Sequence, residues 1–241
     1  MLDNIKIEDV LFLDIETVPR FPSFKEMDPS FQALWDKKSK HFRSPEQSAE
    51  EIFERAGIYS EFGKIICISV GVIREKNPFF LRLKSFFGDD EKLLLTEFSA
   101  MISKFTRSDK DVLLCAHNGR EFDFPYIARR MIINRLEIPA VLDNAGKKPW
   151  ETKFLDTMDL WKFGDFKNYT SLELLTSVLD IPTPKDDIDG SMVAKVYYEE
   201  RDLPRIVRYC EKDVISIARV LLRFMNLPGI EDDRIESVTL L

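Results

Sequence analysis

The apolar run Val10-Leu11-Phe12-Leu13 passes without a break into Asp14-Ile15-Glu16. Four consecutive apolar residues read as a buried strand, expected to end at Asp14. Two carboxylates at that point set negative charge beside a core, which is unfavourable unless a cation or protons compensate. In an extended chain, residues two apart share a face, so Asp14 and Glu16 can reach one cation. Such a pair is a hard oxygen-ligand set suited to Mg²⁺ or Mn²⁺.

The same conflict recurs further along. Val112-Leu113-Leu114-Cys115-Ala116 is a second buried-strand pattern, followed by His117-Asn118-Gly119-Arg120-Glu121-Phe122-Asp123. Asn and Gly signal a turn, and helical spacing begins near Phe122. Asp123 then lies at a helix N-terminus, where a negative charge is stabilised by about 0.3–1 kcal/mol. His117, alone at a strand end, reads better as a hydrogen-bonded structural group than as a metal ligand. A third segment, Tyr209-Cys210-Glu211-Lys212-Asp213, lies in a long helical pattern. Positions four apart on a helix are neighbours, so Tyr209 and Asp213 share a face.

Around these segments the chain alternates strand and helix patterns. Strands are expected at 65–73, 79–86, 112–116 and 154–156, the first two pairing across Glu75-Lys76-Asn77-Pro78. Helical spacing covers 89–105, 122–134, 171–179, 191–200 and 203–225. Ser171 looks like a helix cap, and Asp156 and Asp159 suit a cap better than extra ligands. Residues 19–62, punctuated by four prolines, break the rhythm; they read as a partly helical insertion, with a helix start at Ser44-Pro45 leading to Ala56. Residues 227–241 read as a tail of mixed charge. The expectation is one α/β domain over 1–241, a mixed central β-sheet with helices on both faces.

With 44% apolar and 32% charged residues the 241-residue chain is an ordinary soluble globule. No run approaches the length of a membrane span, and residues 1–10 lack a signal-peptide layout. Three cysteines, an odd number in apolar or helical contexts, read as reduced structural thiols of a cytoplasmic protein. A net charge of −7 argues against indiscriminate nucleic-acid binding but leaves room for an enzyme holding a few nucleotides.

Asp14-x-Glu16, Asn118-x-x-x-Phe122-Asp123 and Tyr209-x-x-x-Asp213, in this order, closely resemble the three motifs of the DEDD exonuclease superfamily in its tyrosine-bearing branch. The chain looks most like the stand-alone bacterial proteins similar to the proofreading exonuclease domain of family B DNA polymerases. That resemblance implies a ribonuclease-H-like fold and release of nucleoside 5′-monophosphates from the 3′ ends of single-stranded nucleic acid, DNA favoured over RNA. It implies two divalent cations, Mg²⁺ or Mn²⁺, with Asp14 bridging both, Glu16 and Asp213 completing one site and Asp123 the other. Tyr209 would orient the attacking water, while Asn118, Phe122, Thr17 and Ile15 would contact the terminal nucleotides, Phe122 by stacking or by simple packing. The insertion after the first motif departs from the superfamily pattern.

Two other readings compete. Haloacid-dehalogenase-like phosphatases also begin with a strand ending in an acid pair, but their pattern is Asp-x-Asp-x-Thr, whereas Asp14-Ile15-Glu16-Thr17 carries Glu. A ribonuclease-H-like module kept only for binding would be expected to have lost some ligands, and here every acid of the pattern is present.

Overall fold

The computed structural model describes residues 2, 4–76, 78–106, 112–165, 167, 169–182 and 188–241. Six strands form one sheet: β1 (Val10–Pro19), β2 (Gly63–Lys76), β3 (Phe79–Phe87), β4 (Leu113–Ala116), β5 (Phe154–Asp156) and β6 (Ile235–Ser237). Their order is β5-β4-β1-β2-β3-β6. β1, β2 and β3 form an antiparallel meander, whereas β4, β5 and β6 join in parallel. The expected hairpin forms between β2 and β3, although Asn77 of its connection lies outside the described residues.

The first strand is longer than its apolar run suggests. It continues for ten residues through Asp14 and Glu16 to Pro19, because β2 pairs with it along that whole length. Its side chains alternate. Leu11, Leu13 and Ile15 pack with Leu94, Leu95, Phe98 and Ile102 of α2 (Glu91–Thr106) and with Phe124, Ile127 and Met131 of α3 (Asp123–Ile133). Val10 and Phe12 pack on the opposite face against Val214, Ile217, Ala218 and Leu221 of α7 (Leu203–Phe224). Asp14 and Glu16 carry on that second register, which directs them toward α7.

Between α3 and α7, Asp156 caps the short α4 (Thr157–Lys162), and the Ser171 hydroxyl accepts from Leu174 N–H to start α5 (Leu172–Val178). The helix expected over 191–200 divides into α6 (Val193–Lys195) and a π-helical turn, Val196–Glu200.

The insertion differs from expectation. Its α-helix is α1 (Pro29–Ser39), with Pro29 at the first position. Residues 44–52 form turns and Phe53–Ile58 a 3₁₀ helix. There Gln47 accepts from Ser44 N–H and Glu51 from Ser48 N–H and Oγ, local bonds that compete with a continuous helix. Trp35 is fully buried among Met27, Ile52, Phe53 and Phe62, and its indole N–H donates to Ala49 O at 2.8 Å. Thus the insertion has a core of its own. The expected tail is also more ordered than its composition suggests, since it supplies β6.

One buried ion pair ties these parts together. Glu91 Oε1 accepts from Ile65 N–H and Arg130 Nε, both at 2.8 Å, and Oε2 accepts from Arg130 Nη2 and Asn134 Nδ2. Arg130 Nη1 donates to Ser60 O at 2.8 Å. α2, α3, β2 and the insertion therefore meet on one ion pair. Removing one partner of such a pair leaves an unpaired buried charge. Arg130→Met is expected to lower unfolding free energy by about 3–5 kcal/mol in urea titration, with part of the loss recovered by adding Glu91→Leu. A loss below about 1 kcal/mol would show that this pair does not hold the layers together.

Candidate active site

Asp14 and Glu16 leave the central strand on the face that α7 covers, where Asp14 pairs in register with Ser69 and Glu16 with Cys67. α7 brings Tyr209 and Asp213 over them. A carboxylate oxygen of Asp14, one of Glu16 and Cys210 Sγ all lie within 4.8 Å of one another. Cys210 Sγ–H donates to Asp14 Oδ2 at 3.4 Å. Asp123 enters from the other side as the first residue of α3, and it is 3% exposed.

The chain reaches Asp123 through a tight turn. Asn118 has φ 62°, a left-handed conformation that Asn adopts more readily than most residues. Gly119 follows because a Cβ there would stand 2.4 Å from the Ala116 Cβ. Asp156 fixes this turn: it accepts from Asn118 N–H at 2.9 Å, Arg120 N–H at 3.0 Å and Met158 N–H at 3.0 Å. It is the cap expected of it. His117 is structural as well, bonded through Nδ1 to the Thr157 hydroxyl and through Nε2 to Thr170 O. Asp159 pairs with Lys162 and Arg120 away from the cluster of acids.

The four acids act on one another. Burial, and then the carboxylates of Asp213, Asp123 and Glu16, hold the Asp14 carboxyl well above the usual range, against a weaker opposing hydrogen bond from Cys210. Burial raises Glu16 likewise, followed by Asp213, the Cys67 thiol and Asp123. Asp123 is pushed up to about 8 by burial, with Asp156 and Asp213 adding to it; backbone N–H groups of Asp123 itself and of Ile15 oppose the rise. Tyr209 is held far above its ordinary value by burial and by the charges of Asp213, Glu16 and Asp14, and its hydroxyl bonds to Asp213. It is a neutral phenol. Glu16 is buried, while Asp14, Asp213 and Tyr209 keep partial exposure, so the cluster opens to solvent.

The remaining sequence candidates border the cluster in different ways. The Thr17 hydroxyl bonds to Tyr126, whose own hydroxyl donates to Gly57 O at 2.6 Å. The Phe122 ring packs on Tyr126 with centroids 5.4 Å apart. Ile15 is 5% exposed and belongs to the core between sheet, α2 and α3. Its side chain is thus turned away from the acids, and only its backbone borders them. Cys210, expected to be a structural thiol, touches Asp14; its place beside Tyr209 in the third segment is the sequence signal for that contact.

A large cavity of about 1400 Å³ lies elsewhere, lined by Ile5, Phe154, Leu160, Phe163 and Met225 among others, and includes none of the four acids. Among the described residues, no helix is long and apolar enough to cross a membrane.

The architecture is similar to that of a family B DNA polymerase from the hyperthermophilic archaeon Pyrobaculum calidifontis, with a TM-score of 0.55 and 15% identity. The match covers 90% of this chain and 24% of the polymerase, so the chain spans about a quarter of that protein's length. The likeness concerns fold, and the fold is a ribonuclease-H-like α/β sheet. No curated protein sequence matches the chain. A family described as predicted 3′-5′ exonuclease related to the exonuclease domain of PolB matches residues 58–238. That span holds Asp123, Tyr209 and Asp213, while Asp14 and Glu16 precede it and are joined to it by the pairing of β1 with β2 and β4. The match takes in about three quarters of the sequence, and the chain belongs to this family of predicted 3′-5′ exonucleases related to PolB.

Proposed function

We propose that the protein is a metal-dependent 3′-5′ exonuclease of the tyrosine-bearing DEDD branch that acts on single-stranded nucleic acid, DNA in preference to RNA, and releases nucleoside 5′-monophosphates. One observation carries the reading: acids from three distant segments meet in one desolvated group, their carboxyls raised first by burial and then by one another's negative charge. Two unit charges about 4 Å apart repel by about 4 kcal/mol at an effective dielectric near 20. A fold that tolerates several such contacts gains most from a multivalent cation.

The donor set fits that role. Asp14, Glu16, Asp123 and Asp213 offer carboxylate oxygens, the hard ligands that Mg²⁺ and Mn²⁺ prefer. Two divalent cations held there would supply Lewis-acid polarisation and neutralise charge at both the attacking and the departing oxygen of a phosphodiester. Tyr209, neutral across physiological pH, serves as a hydrogen-bonding group and not as a base. With its hydroxyl hydrogen on Asp213, its oxygen is free to accept from the attacking water and so aim it at phosphorus. Asn118 and Phe122, with Thr17 and the backbone of Ile15, would border the terminal nucleotides. The preference for DNA rests on the likeness to proofreading domains and would be exercised at the sugar 2′ position.

Digestion of matched DNA and RNA oligonucleotides, labelled at either end, tests the reading. With millimolar Mg²⁺ or Mn²⁺, 5′-labelled DNA should shorten stepwise while 3′-labelled DNA loses its label as a mononucleotide. Shortening from the 5′ end alone, or no digestion, would reject it. Asp14→Asn should abolish hydrolysis at every metal concentration. Tyr209→Phe should lower kcat by about 10- to 1000-fold while the melting shift induced by Mn²⁺ is kept; full activity in that variant would remove Tyr209 from the reaction.

The carboxyl shifts also dictate a pH dependence. Without metal, the folded protein holds protons on Asp14, Glu16 and Asp123 that the unfolded chain has released above about pH 4. Metal-free stability should therefore fall as pH rises from about 4 through about 8. Divalent cations displace those protons, so the rise in Tm on adding Mg²⁺ should be larger near pH 8 than near pH 5. Scanning calorimetry in chelator and in Mg²⁺ decides it; a pH-independent rise would count against a shared carboxylate site.

A further inference from the structure

Glu211 lies between Tyr209 and Asp213 in sequence, is 8% exposed, and has no part in the reaction above. Its Oε1 accepts three hydroxyl hydrogen bonds: from Ser85 of β3 at 2.9 Å, from Ser237 of β6 at 2.8 Å and from Thr239 just beyond it. The Thr239 hydroxyl also accepts from Ser85 N–H at 2.9 Å, and Val238 N–H donates to Leu83 O at 3.0 Å. β6 itself is short and half-exposed, with no buried residue. Its directed contact with the interior is this carboxylate.

From Glu211 a polar seam runs beneath α7 back to the acids. Ser85 Oγ lies 2.8 Å from Ser69 Oγ, and Ser69 Oγ lies 3.6 Å from Cys67 Sγ. Cys67 and Cys210 are hydrogen-bonded, and Cys210 donates to Asp14. Ser69 and Cys67 are the β2 residues paired with Asp14 and Glu16. Elsewhere α7 packs on the sheet through apolar side chains, Val214, Ile217, Ala218 and Leu221 among them. Apolar packing is non-directional and tolerates small slides and rotations, whereas hydrogen bonds fix orientation.

We propose that residues 235–239 latch the catalytic helix: Ser237 and Thr239 hold Glu211, and Glu211 sets the rotation and height at which α7 presents Tyr209 and Asp213 to Asp14 and Glu16. Glu211 is thus a positioning residue, and the chain's last strand is a working part of the site. The proposal rests on the exonuclease reading for its consequence but not for its geometry. A displacement of about 1 Å at reacting groups can cost about 100-fold in rate, and loss of groups that orient metal ligands costs about 10- to 100-fold in affinity.

The test uses the full chain with Ser237→Ala, Thr239→Val and the two combined, and Ser237→Thr as the conservative control. Calorimetry should show Mn²⁺ affinity about tenfold weaker in the double variant, and kcat should fall about 10- to 100-fold with oligonucleotide KM within about twofold. Amide hydrogen exchange should speed up at 209–213, while Ser237→Thr behaves as the parent. If the double variant does not fold, Ser237→Ala, which leaves two donors on Glu211, is read by the same measurements. Unchanged exchange at 209–213, or a lower metal-free Tm with Mn²⁺ affinity retained, would overturn the latch. A parent chain that digests nothing would sink the exonuclease reading instead, and the exchange comparison would still decide the latch.

Discussion

Carboxyl groups desolvated on a central strand are the constraint around which this molecule is built. β1 has neighbours on both edges and helices on both faces, so most of what is placed on it is buried. Asp14 and Glu16 nevertheless follow Val10 and Phe12 on the face that α7 covers, and α7 and α3 each add another acid. Apolar packing on both sides of the sheet must outweigh the cost of gathering these groups. A site assembled this way is held by the fold before any ligand arrives, which favours fixed positioning over induced assembly.

The other buried acids give this arrangement its meaning. Glu91 is saturated by Arg130, Asn134 and Ile65 N–H. Glu211 is met by three hydroxyls, and Asp156 by the backbone N–H groups of Asn118, Arg120 and Met158. By contrast Asp14 receives a weak thiol donor, and Asp123 two backbone N–H groups against two neighbouring charges. Glu91, Glu211 and Asp156 are thus each met by several donors, whereas Asp14 faces neighbouring carboxylates with a thiol as its side-chain donor. The same chain shows both treatments, and mutual repulsion among buried carboxylates is the feature of the cluster that a cation would relieve.

What the sequence made legible follows the same division. Strong local patterns announce β1, β4, α3 and α7, because each carries a clear apolar run or period, and three of the four carry the acids. The extension of β1 through Asp14 to Pro19 was hidden, since it depends on pairing with β2. β6 was hidden for the same reason: Ile235, Glu236 and Ser237 have no period of their own and become a strand only beside Leu81, Arg82 and Leu83. In the insertion, Ser44-Pro45 resembled a helix start, but Ser48 and Glu51 bond to each other locally while the helix forms earlier, where Trp35 finds its core. Ile15, standing between two acids on a strand, faces the other way, so its side chain joins the core and only its backbone borders the acids.

The insertion is mostly outside the span matched by the family, yet it is mechanically continuous with the first motif. Arg20 N–H donates to Phe62 O at 2.8 Å just past the end of β1, and Gly57 packs so closely on Val18 that a Cβ would come within 3.0 Å. Gly63 is held more tightly still, since a Cβ there would stand 2.2 Å from the Tyr126 hydroxyl that bonds Gly57 O on one side and Thr17 on the other. Thr17 directly follows Glu16, at the irregularity where β1 and β2 shift register. Movement of the insertion relative to α3 is therefore coupled through Tyr126 to the residue next to Glu16. The element that looks most dispensable by family resemblance is thus one of the parts that fixes where the first motif ends.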